Sequence, residues 1–557
     1  MNIIKETKDA LRQAVIGACR TGIDGGRLPD VEMPAFVIES PKDEQHGDFS
    51  TNLAMQLARS MHKNPRQIAE ILADGMVCDG ILDHVEIAGP GFINFYLDQN
   101  WLLPVFEAIV TEDIHYGESD AGGGERVQVE FVSANPTGLL HMGNARGGAL
   151  GDCLASVLNA VGYVCDKEYY INDEGNQVEN LGLSVEARYF ELLGTNSYEI
   201  PEDGYHGKDI LTTAQHLIDQ KGRAYVDMDR TKRLREMKEF ALSEKVGAIR
   251  CGLERFGVQY DNWFSEQSLH DSGAIEDCIR ILKERGHIYE KDNALWLRAT
   301  DWGQEKDEVL VRSNGTPTYF AADIAYHRNK FERGYKYLIN IWGADHHGHV
   351  ARLKGAMTAL GYPGDKITVI LMQLVRLYRG GELVKMSKRS GQYVTLEELI
   401  DEVGKDAARF FFAMRNPDSA LDFNLDLAKE QSANNPVYYV QYAHARICSI
   451  LSVADISVPL VQEANLTLLN TPEEHTLTRK LAEYTQVVAD AAAELAPYHL
   501  TTYARDLATA FHSFYNSSKV LIDNEELKKA RLILVDATRI TLRNVLLLLG
   551  IDAPERM

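Results

Sequence analysis

Twice in this chain a strand-like run leads through a helix to a second strand-like run, and that repeat restricts the fold more than any other feature. The first copy reads "RVQVEFVS" at 126–133, then "ARGGALGDCLASVLNAVG" with Gly162 as a helix stop, then "YVCDKEYYIND". The second reads "YKYLINIWGADHH", "HVARLKGAMTALG" and "KITVILMQLV" between 335 and 375. Strands joined through a helix lie parallel and bury both faces, so the spacing predicts a multidomain α/β chain built on a Rossmann-type parallel sheet. A polar, helix-rich stretch from about 180 to 290 separates the copies and reads as an insertion in the sheet domain.

The flanking regions have different periodicities. Leu11, Val15, Ile16 and Cys19 recur at helical spacing, and "HVEIAGPGFINFYL" at 84–97 alternates like two strands about Gly-Pro-Gly, which makes the N-terminal region a small α+β domain. "ESDAGGGER" at 118–126 reads as a linker. Beyond 430 the chain reads as helical. Thr471, Pro472 and Glu474 form a capping signal, followed by an apolar stripe at Leu477, Leu481, Tyr484, Val488, Ala491 and Leu495, and by another at Leu500, Tyr503, Leu507, Phe511 and Phe514. At 557 residues the chain exceeds what one core supports. The expected domains are 1–117, α+β; 118–430, the parallel-sheet domain with its insertion at about 180–290; and 431–557, an all-α helical bundle.

A formal charge of −23 rules out general attraction to phosphate, so any nucleic acid partner needs a local footprint. Seven cysteines stand singly with no C-x-x-C, which gives neither a disulfide framework nor a zinc knuckle. The first residues carry charges throughout, and no run approaches the roughly 18 apolar residues of a membrane span. The expectation is a cytoplasmic protein without a leader or a membrane segment.

Two short segments carry the chemistry. In "SANPTGLLHMGN" at 133–144 the turn follows a strand and opens a helix, where free N–H groups receive phosphate; Gly143 and Gly147 allow close approach, and His141 and Asn144 share a helix face. In "GGELVKMSKRSGQ" at 380–392, Lys385 and Lys388 are spaced i and i+3 beside Arg389, and Gly380, Gly381 and Gly391 permit a hinged loop that closes over charge on a leaving pyrophosphate. Either segment alone is a weak signal. Their order on a split α/β sheet is a strong one.

"HMGN" and "KMSKR" resemble the "HIGH" and "KMSKS" signatures of the class I aminoacyl-tRNA synthetases. Longer blocks resemble the arginyl-tRNA synthetase family over essentially the whole chain: "GDFSTNLAMQLA", "AGPGFINFYL", "VEFVSANPTGLLHMGNARGGALGD", "YYINDEGNQ", "TYFAADIAYH", "IWGADHHGHVARLKGAM", "NNPVYYVQYAHAR" and "LLGIDAPERM". The resemblance implies activation of L-arginine with ATP and Mg²⁺, transfer to tRNA(Arg), and adenylate formation that waits for bound tRNA. It implies ATP contacts from Pro136, Gly138, His141, Gly143, Asn144, Lys385, Met386, Ser387 and Lys388, with His141, Asn144, Lys385 and Lys388 as the catalytic set. Asn144 departs from the family's second histidine; asparagine keeps hydrogen-bond donation but never carries a positive charge.

A guanidinium is planar, permanently charged and offers five N–H donors, so its site needs carboxylates and neutral acceptors. By resemblance that site is Glu130, Ser133, Asn135, Tyr319, Asp323 and His346. The C-terminal helices resemble the family's anticodon-binding domain. There Tyr442, His444 and Arg446 are the expected tRNA contacts, while Tyr439 and Phe511 belong to the core. "DHHGH" at 345–349 offers imidazoles, but neighbouring strand residues face opposite ways and no cysteine accompanies them, so no protein-bound metal is expected. The chain is expected to act as a monomer without an obligate protein partner.

Overall fold

A computed structural model describes residues 2–41, 43–78, 80–195, 198–384, 394–453 and 458–557. In the N-terminal part, Asn2 caps the helix Ile3–Asp24 by accepting from the Lys5 N–H, and Asn64 and Pro65 start the helix Pro65–Asp74. Leu53–Met61 and Pro65–Asp74 pack on an antiparallel sheet, β1 (Phe49–Thr51), β2 (Leu82–Ala88) and β3 (Phe92–Leu97), in the order β1-β3-β2, and Ile3–Asp24 packs against Pro65–Asp74. The strand pair expected about Gly-Pro-Gly is the β2–β3 hairpin, which turns where Gly89 and Gly91 take φ of 53° and 135°.

Residues 118–126, read as a linker, are ordered instead. The N–H groups of Ser119, Gly122 and Gly124 donate to the carbonyls of Ala160, Val161 and Gly162 at 2.8, 2.7 and 2.8 Å. Here glycine serves close approach of two backbones rather than freedom, since a side chain on Gly162 would run into the Asp120 backbone.

The central sheet contains β4 (Arg126–Glu130), β5 (Val164–Ile171) and β6 (Asn262–Ser265). After a small antiparallel sheet of β7 (Ile288–Lys291), β8 (Ala294–Leu297) and β9 (Glu308–Val311), it resumes with β10 (Tyr337–Gly343) and β11 (Ile367–Met372). Its order is β11-β10-β4-β5-β6, with every neighbouring pair parallel. The winding reverses between β4 and β10, which opens a crevice at their carboxyl ends. β6 lies inside the stretch read as insertion. Its four residues are too short for a period, and its strand character comes from pairing with β5.

The insertion helices Asn176–Leu192, Lys208–Lys221 and Arg230–Arg255 enclose their own core of Leu181, Val185, Phe190 and Met237, with Arg233 gripping the buried Glu186 at 2.6 and 2.8 Å. The C-terminal bundle comprises Pro436–Val453, Pro472–Ala493, Tyr498–Ser517 and Glu525–Leu548. Thr471 and Glu474 form the expected reciprocal cap, and both apolar stripes are buried as far as Phe514 except Leu495, which lies past the helix end at φ 52°. One residue ties these parts together. Arg409, on the helix Lys405–Ala413 and 0 % exposed, donates to Asp152 Oδ2 at 2.6 Å, to the Leu549 carbonyl at 3.0 Å and to the Phe256 carbonyl at 3.2 Å.

Candidate active site

The sequence places the end of the first strand at Ser133, but β4 stops at Glu130. Val132 and Ser133 take φ of 68° and 37°, a left-handed kink that is costly for a β-branched residue and turns the chain out of the sheet. The kink is fixed by Ser133, whose hydroxyl donates to Glu130 Oε1 at 2.9 Å and accepts from the Tyr170 N–H at 3.1 Å. Asn135 then donates to Gln177 Oε1 at 2.7 Å, at the start of the insertion.

His141 is the N-cap of the helix Met142–Ala160 rather than a residue within it. Its Nδ1 accepts from the N–H groups of Gly143 at 3.1 Å and Asn144 at 3.4 Å, and Asn144 Oδ1 accepts from the His141 N–H at 3.1 Å. This reciprocal cap places the proton of a neutral ring on Nε2. It also shows what asparagine does in the departing position: it closes the cap from the other side.

The chain that follows the lysine-rich stretch meets this turn. Lys385, Met386, Ser387 and Lys388 lie outside the described residues, as does Gly391, but the chain that follows them is pinned: the Leu396 N–H donates to the Leu140 carbonyl at 2.8 Å, and His141 bridges Thr395. On the approach, Gly380 and Gly381, expected to act as a hinge, form a hairpin turn at φ 59° and 77° between Val375–Arg379 and Glu382–Leu383. The hairpin register needs both positive φ values.

A cleft of about 730 Å³ lies at the switch point, lined by Val132, His141, Gly143, Asn144, Gly343 and His346 among others. Pro136 and Gly138 do not line it. Pro136 is buried, and Gly138 borders a separate hollow of about 180 Å³ against the insertion helices. His346 sits in the 3-10 turn after β10 with its ring 6.1 Å from Trp342. The "DHHGH" segment is therefore a turn and a helix start, not strand. Among the described residues no group of three or more His, Cys, Asp and Glu side chains is arranged for a metal ion.

Of the residues assigned to arginine by resemblance, Glu130 and Ser133 touch, and Asp323 approaches them from the helix Tyr319–Glu332 with Oδ2 2.6 Å from His349 Nε2. Tyr319 opens that helix and is 57 % exposed, while Asn135 is drawn toward the insertion. No motif or period marks as part of this corner the side chains that complete it: Tyr170, Glu266, Lys330, Asn340, His327 and His349. Glu266, 3 % exposed, follows β6, so missing that strand meant missing it. Burial lifts its carboxyl to about 7, with Asp323, Asp173 and Glu174 adding to the rise and a hydrogen bond from Tyr170 opposing it. Anionic groups converge here.

On the helix Pro436–Val453, Arg446 donates to the Tyr442 hydroxyl at 2.6 Å and lies over the rings of Tyr442 and Tyr515 at 4.6 and 4.9 Å. Tyr438 stacks on Tyr442 at 5.9 Å, which makes a partly open aromatic face. His444 does not join it. It is 3 % exposed with Nδ1 2.9 Å from the Pro554 carbonyl, and burial pushes its pKa down, so it presents no edge to a base. Its i+2 offset from Tyr442 already turns it to the opposite face. Phe511 is buried, as expected.

Residues 106–449 match the family described as tRNA synthetases class I (R), catalytic domain; residues 2–97 match the Arginyl tRNA synthetase N terminal domain; and residues 440–557 match the DALR anticodon binding domain. Sheet, capped turn and domain series are thus those of a class I aminoacyl-tRNA synthetase. The chain is 60 % identical to the Arginine–tRNA ligase of Moorella thermoacetica and 56 % identical to that of Heliobacterium modesticaldum, in each case over all of both chains. It superposes on the Thermus thermophilus arginyl-tRNA synthetase with a TM-score of 0.74 at 25 % identity, covering 98 % of this chain and 100 % of that one. The chain belongs to the arginyl-tRNA synthetase family.

Proposed function

We propose that the chain ligates arginine to tRNA(Arg) in two steps. An arginine carboxylate oxygen attacks the α-phosphorus of ATP; the bond to the bridging oxygen breaks, and pyrophosphate leaves with the electron pair. The terminal adenosine hydroxyl of tRNA then attacks the activated carbonyl and AMP departs. Positioning and charge stabilisation supply most of the rate. ATP, carried with Mg²⁺ as substrate, meets the turn at His141, Gly143 and Asn144 and the lysines Lys385 and Lys388, with Met386 and Ser387 between them. Glu130, Ser133, Asn135, Tyr319, Asp323 and His346 hold arginine, and Tyr442 and Arg446 meet the anticodon loop. In this reading the units are 1–117, 118–430 and 431–557, the enzyme is a cytoplasmic monomer, and adenylate formation waits for tRNA. No helix among the described residues is long and apolar enough to cross a membrane.

The observation that carries this reading is the Leu140 to Leu396 bond, which ties the residue before His141 to the helix that follows the lysine-rich segment in sequence. ATP–pyrophosphate exchange with arginine, with and without tRNA(Arg) and with lysine as competitor, tests it. Exchange that requires both arginine and tRNA is expected. Exchange without tRNA would point to a ligase with another acceptor, and none from folded protein that binds tRNA to a noncatalytic sensor.

The Glu266 carboxyl, raised to about 7, gives this site a pH signature. For the bare protein the sign is that of any raised group: its contribution to stability is present below the unfolded carboxyl pKa and lost as pH rises through about 7. Arginine reverses this, because a guanidinium favours the ionised acid. Arginine affinity should rise severalfold between about pH 6 and 8, and Glu266→Gln should flatten the profile. Calorimetric titration across that range checks it; an unchanged slope in the variant removes Glu266 from the account.

A further inference from the structure

Glu130 and Asn340 stand opposite each other on β4 and β10 and are 6 % and 0 % exposed. Between them Lys330, 0 % exposed, donates to Glu130 Oε2 at 2.8 Å and to Asn340 Oδ1 at 3.0 Å, with its ammonium 4.2 Å from the centre of the Tyr326 ring. Asn340 Nδ2 donates to His327 Nε2 at 2.8 Å, and His327 Nδ1 donates to the Asp323 carbonyl at 2.8 Å. Burial pushes His327 down to about 3, so the ring is neutral and this direction of donation is fixed. A buried chain, Glu130–Lys330–Asn340–His327, therefore ends on the Asp323 backbone carbonyl, so that Lys330 ties the helix carrying Asp323 to Glu130 on β4, while the Asp323 carboxylate itself meets His349. Asp323, His327 and Lys330 ride on one face of one helix, at i, i+4 and i+7.

We propose that Lys330 is a positioning residue that sets amino-acid specificity, holding Glu130 and Asp323 at a spacing that a planar guanidinium bridges and a lysine ammonium does not. The inference rests on the reading that these two acids hold arginine. Lys330 already supplies one point charge to Glu130, so a second ammonium arriving there meets a carboxylate that is half satisfied and positively flanked. A guanidinium spreads its charge over a fork of N–H donors and addresses the remaining lone pairs of Glu130 and the Asp323 carboxylate together. Selectivity arises from disfavouring the wrong cation as much as from gripping the right one.

Lys330→Met keeps the length and apolar stem but removes the charge. In tRNA-supported pyrophosphate exchange, arginine KM is expected to rise about tenfold or more, ATP KM to stay within about twofold, and the arginine-to-lysine ratio of kcat/KM to fall at least about tenfold. A merely structural role would weaken both amino acids alike, so an unchanged ratio overturns the proposal. Should that variant not fold, Asn340→Asp, which still accepts from Lys330 but no longer donates to His327, is read the same way. Glu130→Gln separates the two layers. If it raises arginine KM while Lys330→Met does not, the inference alone fails; if it leaves arginine KM unmoved, the reading beneath it fails.

Discussion

Alanine in place of Lys388 lowers kcat for adenylate formation by about two to three decades while arginine KM moves less than about threefold. Negative charge concentrates on the leaving pyrophosphate only as the bridging bond breaks, so an ammonium there interacts more with the transition state than with bound ATP. Losing it removes about 3–4 kcal/mol of differential stabilisation. The flanks of the lysine-rich stretch are held in place. Before it comes a glycine hairpin turn at 380–381, and after it Thr395 and Glu398 close a reciprocal helix cap while Leu396 is bonded to Leu140. Pre-steady-state measurement of adenylate formation decides it: a rise in KM with kcat intact would mean that the lysine binds ATP uniformly.

Arg409→Met destabilises the protein by about 3–5 kcal/mol, a large part of a typical total of about 5–15 kcal/mol. The guanidinium is wholly buried and serves a carboxylate and two carbonyls on three separate segments; methionine takes away the donor to the Phe256 carbonyl, leaves the Leu549 carbonyl with the weak Cys153 thiol at 3.3 Å and Asp152 with Lys167 at 2.9 Å. Arg409→Lys should recover only part of the loss, since an ammonium can answer Asp152 but cannot fork to both carbonyls. Thermal unfolding of the two variants beside the parent checks the order. A methionine variant within about 1 kcal/mol of the parent would contradict it.

The architecture was legible because it is written in periods. The two strand–helix–strand copies, the β2–β3 hairpin and the stripes from Leu477 to Phe514 each appear where their spacing put them. β6 was not, because four residues carry no period and its identity comes from β5. At the site, the residues at strand ends and at the helix start could be found from the signatures. The buried chain through Lys330, Asn340 and His327 could not, since the cross-strand register that puts Asn340 opposite Glu130 is a property of the folded sheet. The Gly380–Gly381 pair and His444 show the converse. Residue type hinted at motion and at RNA, and neighbours in space made one a hairpin turn and the other a packed strut.

The Glu130–Lys330 contact spans 200 residues of chain, and this orders events while the protein is being made. Until Lys330 has emerged from the ribosome, a β4 that docked early would bury a carboxylate with no cation to meet it, a state costing several kcal/mol. The growing chain is thus discouraged from sealing its amino-acid corner around β4 and β5 alone, and the helix bearing Asp323, His327 and Lys330 delivers the specificity side chains and the permission to close together.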